Sequence, residues 1–206
     1  MTKTQPKPKP IKPKKCRCGC GRTFTPQSST QVAYGWECAL KIAEKARVKR
    51  EQAEKKIERK TIKEAKEKLK TRRDWMKEAQ AAFNQYIRLR DQLAGHPCIC
   101  CDRPLDWSGN ATDAGHYRSV GSAPHLRFDE RNVHAQAKQC NHWGAGRAVD
   151  YRIGLIKRIG LEQVEYLEAD QTPKKWTADQ LKEKRDQYRI KSSELKKILA
   201  DAVAKQ

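Results

Sequence analysis

The run "CICCDRPLDWSGNATDAGHYRS", Cys98–Ser119, crowds three cysteines into four positions, crosses a turn-rich patch, and ends on Asp113 and His116. Cys98 and Cys101 have the C-x-x-C spacing of half a zinc knuckle. Asp102, Pro104, Gly109 and Asn110 supply turn chemistry around a short strand or hairpin. Further on, "LRFDERNVHAQAKQCNHWGAGR" carries Asn132, His134, Cys140, Asn141 and His142. Cys140 completes the sulfur set begun by Cys98 and Cys101. The fourth ligand is open among His142, His134 and Cys100, preferred in that order. This segment, 95–150, is read as the core that decides the fold.

Working outward, charge is distributed unevenly. The chain has 206 residues and a formal net charge of +20, but residues 96–150 are neutral, with six basic and six acidic residues. The excess lies at 1–15 (+6), 39–95 (+9) and 151–206 (+4). A polyanion, and nucleic acid first, is the partner this balance favours, gripped by basic arms around a compact centre. The hydrophobic share, 37%, is thin for one large core, which favours helices and small metal-stapled units. No run approaches the length of an apolar membrane span, and no apolar signal core follows the N-terminus. A cytoplasmic location is therefore expected, with the eight cysteines as thiols or metal ligands and not disulfides.

Residues 1–15 alternate Lys and Pro and are read as an extended tail. Residues 16–38 hold Cys16, Cys18, Cys20 and Cys38, four sulfurs suited to a closed structural zinc knuckle. From 39 to 94 the composition predicts one long basic helix, solvated in its first part. Its second part carries an apolar stripe (Trp75, Met76, Ala79, Ala82, Phe83, Tyr86, Ile87, Leu93) expected to pack on the central segment. Residues 151–206 read as helices, the last opened by a Thr177/Gln180 capping box and packed on the core or on a partner. The fold class expected is α+β: a small zinc-stapled core flanked by a long charged helix, an N-terminal knuckle and C-terminal helices.

The centre also carries the groups that phosphodiester hydrolysis requires. His116 has the ordinary pKa of a neutral-pH base. Asp113 and Asn141 offer hard oxygen donors of the kind Mg²⁺ or Mn²⁺ takes. His134 is open between supporting the site and holding zinc. Arg118, Arg127 and Arg131 are candidate cations for a phosphate.

The order C-x-x-C, D-x-x-H, Asn, Cys-Asn resembles the His-Me finger (HNH, ββα-metal) nucleases. There a zinc knuckle often brackets a hairpin bearing the histidine base and a helix bearing an Asn or His near the metal. Asn132 resembles the middle residue of an HNH nuclease set, which implies that it orients the hairpin by hydrogen bonds. Asn141, directly after a cysteine, matches the Asn of phage junction resolvases of the endonuclease VII type. Over nearly all of residues 16–200 the chain resembles the lambdoid phage NinG (Rap) family of recombination endonucleases. "PCICC", "DAGHYRS", "APHLRFDERNVH", "QCN", "YRIGLIKRIG", "WTADQLK" and the "RTFTP" after the first cysteines carry the match. The resemblance implies a metal-dependent endonuclease acting on branched DNA, such as D-loops and Holliday junctions, alongside phage or host recombination proteins. Resolving a symmetric junction needs two cuts, which a homodimer would supply. The competing reading is a non-catalytic zinc protein that binds branched DNA. Ala137 departs from the family, standing where the first cysteine of a second C-x-x-C is usual.

Overall fold

The structure is a computed structural model that describes residues 12–143 and 147–204, with Trp143 and Val203 as backbone only. It divides into two compact units, residues 1–69 and 70–206. Residues 1–11, most of the Lys/Pro stretch, lie outside the described residues. The end of that stretch is not a tail: β1 (Lys14–Lys15) pairs antiparallel with β2 (Thr23–Phe24).

In the first unit this small hairpin precedes α1 (Trp36–Lys68), in which Cys38 alone is buried. Leu40, Val48, Ile57 and Ile62 remain exposed, so the helix rests on composition and on pairs such as Arg47–Glu51, as the sparse apolar pattern predicted.

The single helix expected over 39–94 is two helices. α2 runs Arg72–Leu93, opened by a reciprocal cap in which the Thr71 hydroxyl accepts from Asp74 N–H and the Asp74 carboxylate accepts from Thr71 N–H. This T-x-x-D cap starts a new helix where propensity alone continues the old one. The apolar stripe of α2 packs as its spacing predicts up to Ile87, while Leu93, in the last turn, stays exposed. Trp75, Ala79, Phe83 and Ile87 form one core with Leu181 and Tyr188 of α5 (Ala178–Val203) and with Phe128 and Val133. The last helix therefore packs on the core, one of the two placements expected for it, within the same compact unit.

Between α2 and the remaining helices lies an antiparallel pair, β3 (Thr112–His116) and β4 (Val133–Ala137), registered Asp113 to Gln136 and His116 to Val133. A π-helical turn, Gln139–Trp143, follows, then α3 (Ala148–Ile159) and α4 (Leu161–Ala169). A second core joins Ile99, Leu126, Tyr151, Leu155, Val164 and Leu167. Close approach is built in at Gly154: a Cβ there would lie 1.7 Å from the Ile99 carbonyl oxygen. Only glycine lets α3 reach the cysteine turn at that point.

Candidate functional site

Two groups of four cysteines form where the sequence concentrates them: Cys16, Cys18, Cys20 and Cys38, and Cys98, Cys100, Cys101 and Cys140. In each, all four sulfurs lie within 4.8 Å of one another. Tetrahedral zinc with Zn–S of about 2.3 Å requires sulfurs about 3.8 Å apart. The Cys16–Cys18 and Cys20–Cys38 pairs are at 3.4 and 4.0 Å, and Cys98–Cys100 and Cys101–Cys140 at 3.6 and 3.7 Å. Both groups could hold zinc. Backbone N–H groups at Cys18 and Tyr34 hold the Cys16 thiol down to about 6, which favours a thiolate.

The second cluster corrects the expected ligand order. Cys100 is the fourth sulfur, and His142, preferred in the sequence reading, is exposed and outside the group. The turn is closed by Asp102 N–H on the Cys98 carbonyl, with Asp102 at φ 52°, which brings three successive sulfurs to one side. Gln136 donates to Cys100 Sγ at 3.3 Å, and the Ala137 backbone N–H donates to Cys98 Sγ at 3.3 Å. Ala137 thus serves the cluster through its backbone, and Cys100 provides the sulfur that a cysteine at 137 would have supplied.

His134 is likewise not in the metal cluster. It is buried, its Nδ1 accepts from Arg90 at 3.0 Å, and its Nε2 donates to the Arg131 carbonyl at 3.2 Å. An arginine only donates and a carbonyl only accepts, so both ring nitrogens are committed and the ring is neutral. Burial pushes its pKa down to about 3. The network continues through buried Asp91, which accepts from Arg90 and from Ala135 N–H. Tyr151 hydroxyl donates to the Gly115 carbonyl and accepts from His134 N–H, so α3 is bonded to both strands.

Asn132 is fully buried and laces the β3–β4 connection: its oxygen accepts from Arg118 N–H, and its amide donates to the Arg118 and Leu126 carbonyls. Two of the three arginines are engaged within the protein. Arg118 donates to the Leu167, Glu168 and Asp170 carbonyls, closing the C-terminal end of α4. Arg131 pairs with Asp129 at 2.7 Å and covers the Tyr166 ring. Both guanidinium groups are thus held by partners within the protein. Arg127 donates to Gln80 and has no ion pair among the described residues.

His116 ends β3 and lines a cavity of about 320 Å³ with Tyr117, Asn141 and Tyr151. Its Nε2 donates to the Arg127 carbonyl at 3.1 Å, which leaves the lone pair of the neutral ring on Nδ1. Burial lowers its pKa, so the neutral, proton-accepting form prevails at pH 7. Asp113 lies three residues away on the same strand, so its side chain leaves the opposite face. Asn141 connects the two: it lines the His116 cavity, and its amide donates to the Asp113 carboxylate at 3.0 Å.

A two-stranded hairpin, fastened by four cysteines and closed by a following helix, defines a small cysteine-stapled α+β protein. The family model described as Bacteriophage Lambda NinG protein matches residues 8–198, and the chain belongs to the NinG family. Protein ninG of Salmonella phage P22 is 39% identical over 192 residues, 87% of this chain and 91% of that one. Protein ninG of Escherichia phage lambda has the same identity and coverage. That of Enterobacteria phage H19B is 45% identical over 118 residues, 55% of this chain and 54% of its own. No solved structure matches the chain. No helix among the described residues is long and apolar enough to cross a membrane.

Proposed function

We propose that the chain is a structure-selective DNA endonuclease acting on branched recombination intermediates, with a ββα-metal core formed by β3, β4 and α3. The observation that carries the reading is the orientation of His116: a neutral imidazole fixed through Nε2 by the Arg127 carbonyl, in a cavity shared with Asn141, whose amide reaches Asp113. In this reading His116 Nδ1 takes the proton of the attacking water. Asp113 and Asn141 offer oxygen donors to Mg²⁺ or Mn²⁺, which when bound would relieve charge on the phosphate and on the leaving 3′ oxygen. Asn132 and the cysteine cluster hold the hairpin rigid, a task too large for so small an apolar core.

One observation favours a non-catalytic branched-DNA-binding protein instead: Asn141 presents its amide nitrogen, not its oxygen, to Asp113. The two readings separate on incubating the purified chain with a four-way junction, a D-loop and plain duplex, with and without Mg²⁺. Mg²⁺-dependent nicking near the branch supports the nuclease. Tight junction binding without nicking under any divalent ion sinks it.

A further inference from the structure

A second cavity of about 390 Å³ is lined by Arg72, Arg73, Arg127, Lys174, Lys175 and Trp176, with Met76 and Pro124, and Arg127 links it to His116 through its carbonyl. We infer that this cleft is a seat for the phosphodiester backbone of a DNA arm, separate from the His116 cavity and joined to it through Arg127. The inference rests on the reading that the chain handles DNA, and not on its cutting it.

Five cationic side chains converge here, and none of them has an ion pair within 4 Å among the described residues. The nearest carboxylate in sequence, Asp74, is engaged by the Thr71 hydroxyl and N–H. Several cations of the unit are matched to acids, as in Arg152–Glu168, Arg185–Glu78 and Lys191–Glu130, whereas the five of the cleft are not. The cleft is therefore a local concentration of positive charge. Arg127 sharpens the point. Its Nε is buried with no hydrogen-bond partner among the described residues, and burial lowers its pKa. A half-buried guanidinium without a counter-charge is costly, and a phosphate in the cleft supplies that charge.

The cleft is also built to hold its shape. Trp176 donates from Nε1 to the Pro124 carbonyl at 2.9 Å and sets its ring edge-on to Phe128 at 5.0 Å. Lys174 lies over the same ring, 4.8 Å from its centre. The Lys-Lys pair is thus fixed against the connection that carries Arg127. Two elements far apart in sequence, the first turn of α2 and the segment before α5, supply the charge together.

The test is anisotropy titration of labelled four-way junction, plain duplex and structured RNA across a salt series in Mg²⁺-free buffer. The proteins are the full chain, R72Q/R73Q, K174Q/K175Q, the fourfold variant, and K196Q/K197Q as a charge-matched control on exposed α5 positions. Each lost phosphate contact should flatten the slope of log K against log salt by about 0.9, so the fourfold variant should lose about 3–4 units on DNA and each double variant up to about 2. The control should keep the wild-type slope. Wild-type slopes in the double and fourfold variants would overturn the inference, as would a loss confined to RNA. If the fourfold variant folds poorly by circular dichroism, the two double variants decide the matter. H116A is titrated alongside: it reports on cleavage and should bind normally, so failure of the nuclease reading and failure of this cleft appear in different assays.

Discussion

The carbonyl oxygen of Arg127 accepts a hydrogen bond from His116 Nε2 at 3.1 Å, while the guanidinium of the same residue donates to Gln80 on α2. One residue of the β3–β4 connection therefore sets the tautomer of the histidine and ties the connection to the principal helix. If His116 is the base, its Nδ1 must be the atom that accepts the proton.

H116A should lose Mg²⁺-dependent cleavage by about 10²–10⁴-fold while keeping junction binding and zinc content. Because burial lowers the His116 pKa, the acid limb of wild-type cleavage should have its midpoint below 6.5, and the rate should be level above it. Single-turnover rates across pH measure both. A wild-type rate in H116A removes the residue from the mechanism.

C100S should lower zinc by about one ion per chain, and H142A should leave it unchanged, because the fourth donor of the central cluster is a sulfur. Elemental analysis of protein purified without chelator decides. Retained zinc in C100S together with loss in H142A would restore the histidine as ligand.

His134 should make the fold acid-sensitive before the carboxylates titrate. Its folded pKa, about 3, lies below the unfolded value of 6.5. As pH falls through 6.5 the unfolded chain binds a proton that the folded chain does not, and stability drops by about 1.4 kcal/mol per pH unit. His116 adds to this in the same direction. Urea melts between pH 6.5 and pH 4.5 should show the decline. H134Q should be less stable at neutral pH but flatter across that window, and an equal slope in both proteins would refute the assignment.

G154A should destabilise the central unit by about 1–3 kcal/mol or more, since the added methyl meets the Ile99 backbone and not a mobile side chain. It should also loosen the Cys98–Cys101 turn and speed zinc release to a chromogenic chelator. An unchanged urea midpoint would show that α3 can shift without cost.

Much of this molecule was legible one-dimensionally because its signals are local. C-x-x-C spacing, the Thr177 cap and the stripe from Trp75 to Ile87 each act within a few residues, so spacing alone carried them. The break after Leu69 was equally local, written in Thr71-Arg-Arg-Asp74, but was masked by helix-forming neighbours on both sides. What required tertiary structure was the choice among chemically equivalent partners. Cys100, His134 and His142 are all competent ligands, and only the Asp102 turn and the buried Arg90–Asp91 network decide that the first joins the cluster and the second does not. Arg118 and Arg131 look as suitable for phosphate as Arg127. Their fate depends on the α4 terminus and on Asp129, and for Arg118 the α4 carbonyls lie some fifty residues away. The basic cleft is the extreme case: Arg72 and Lys175 are a hundred residues apart, and their joint field exists only because α2 and α5 pack through Phe83 and Tyr188. Residue type and spacing determined which chemistries were available; packing decided which groups meet, because partners far apart in sequence are brought together only by the folded chain.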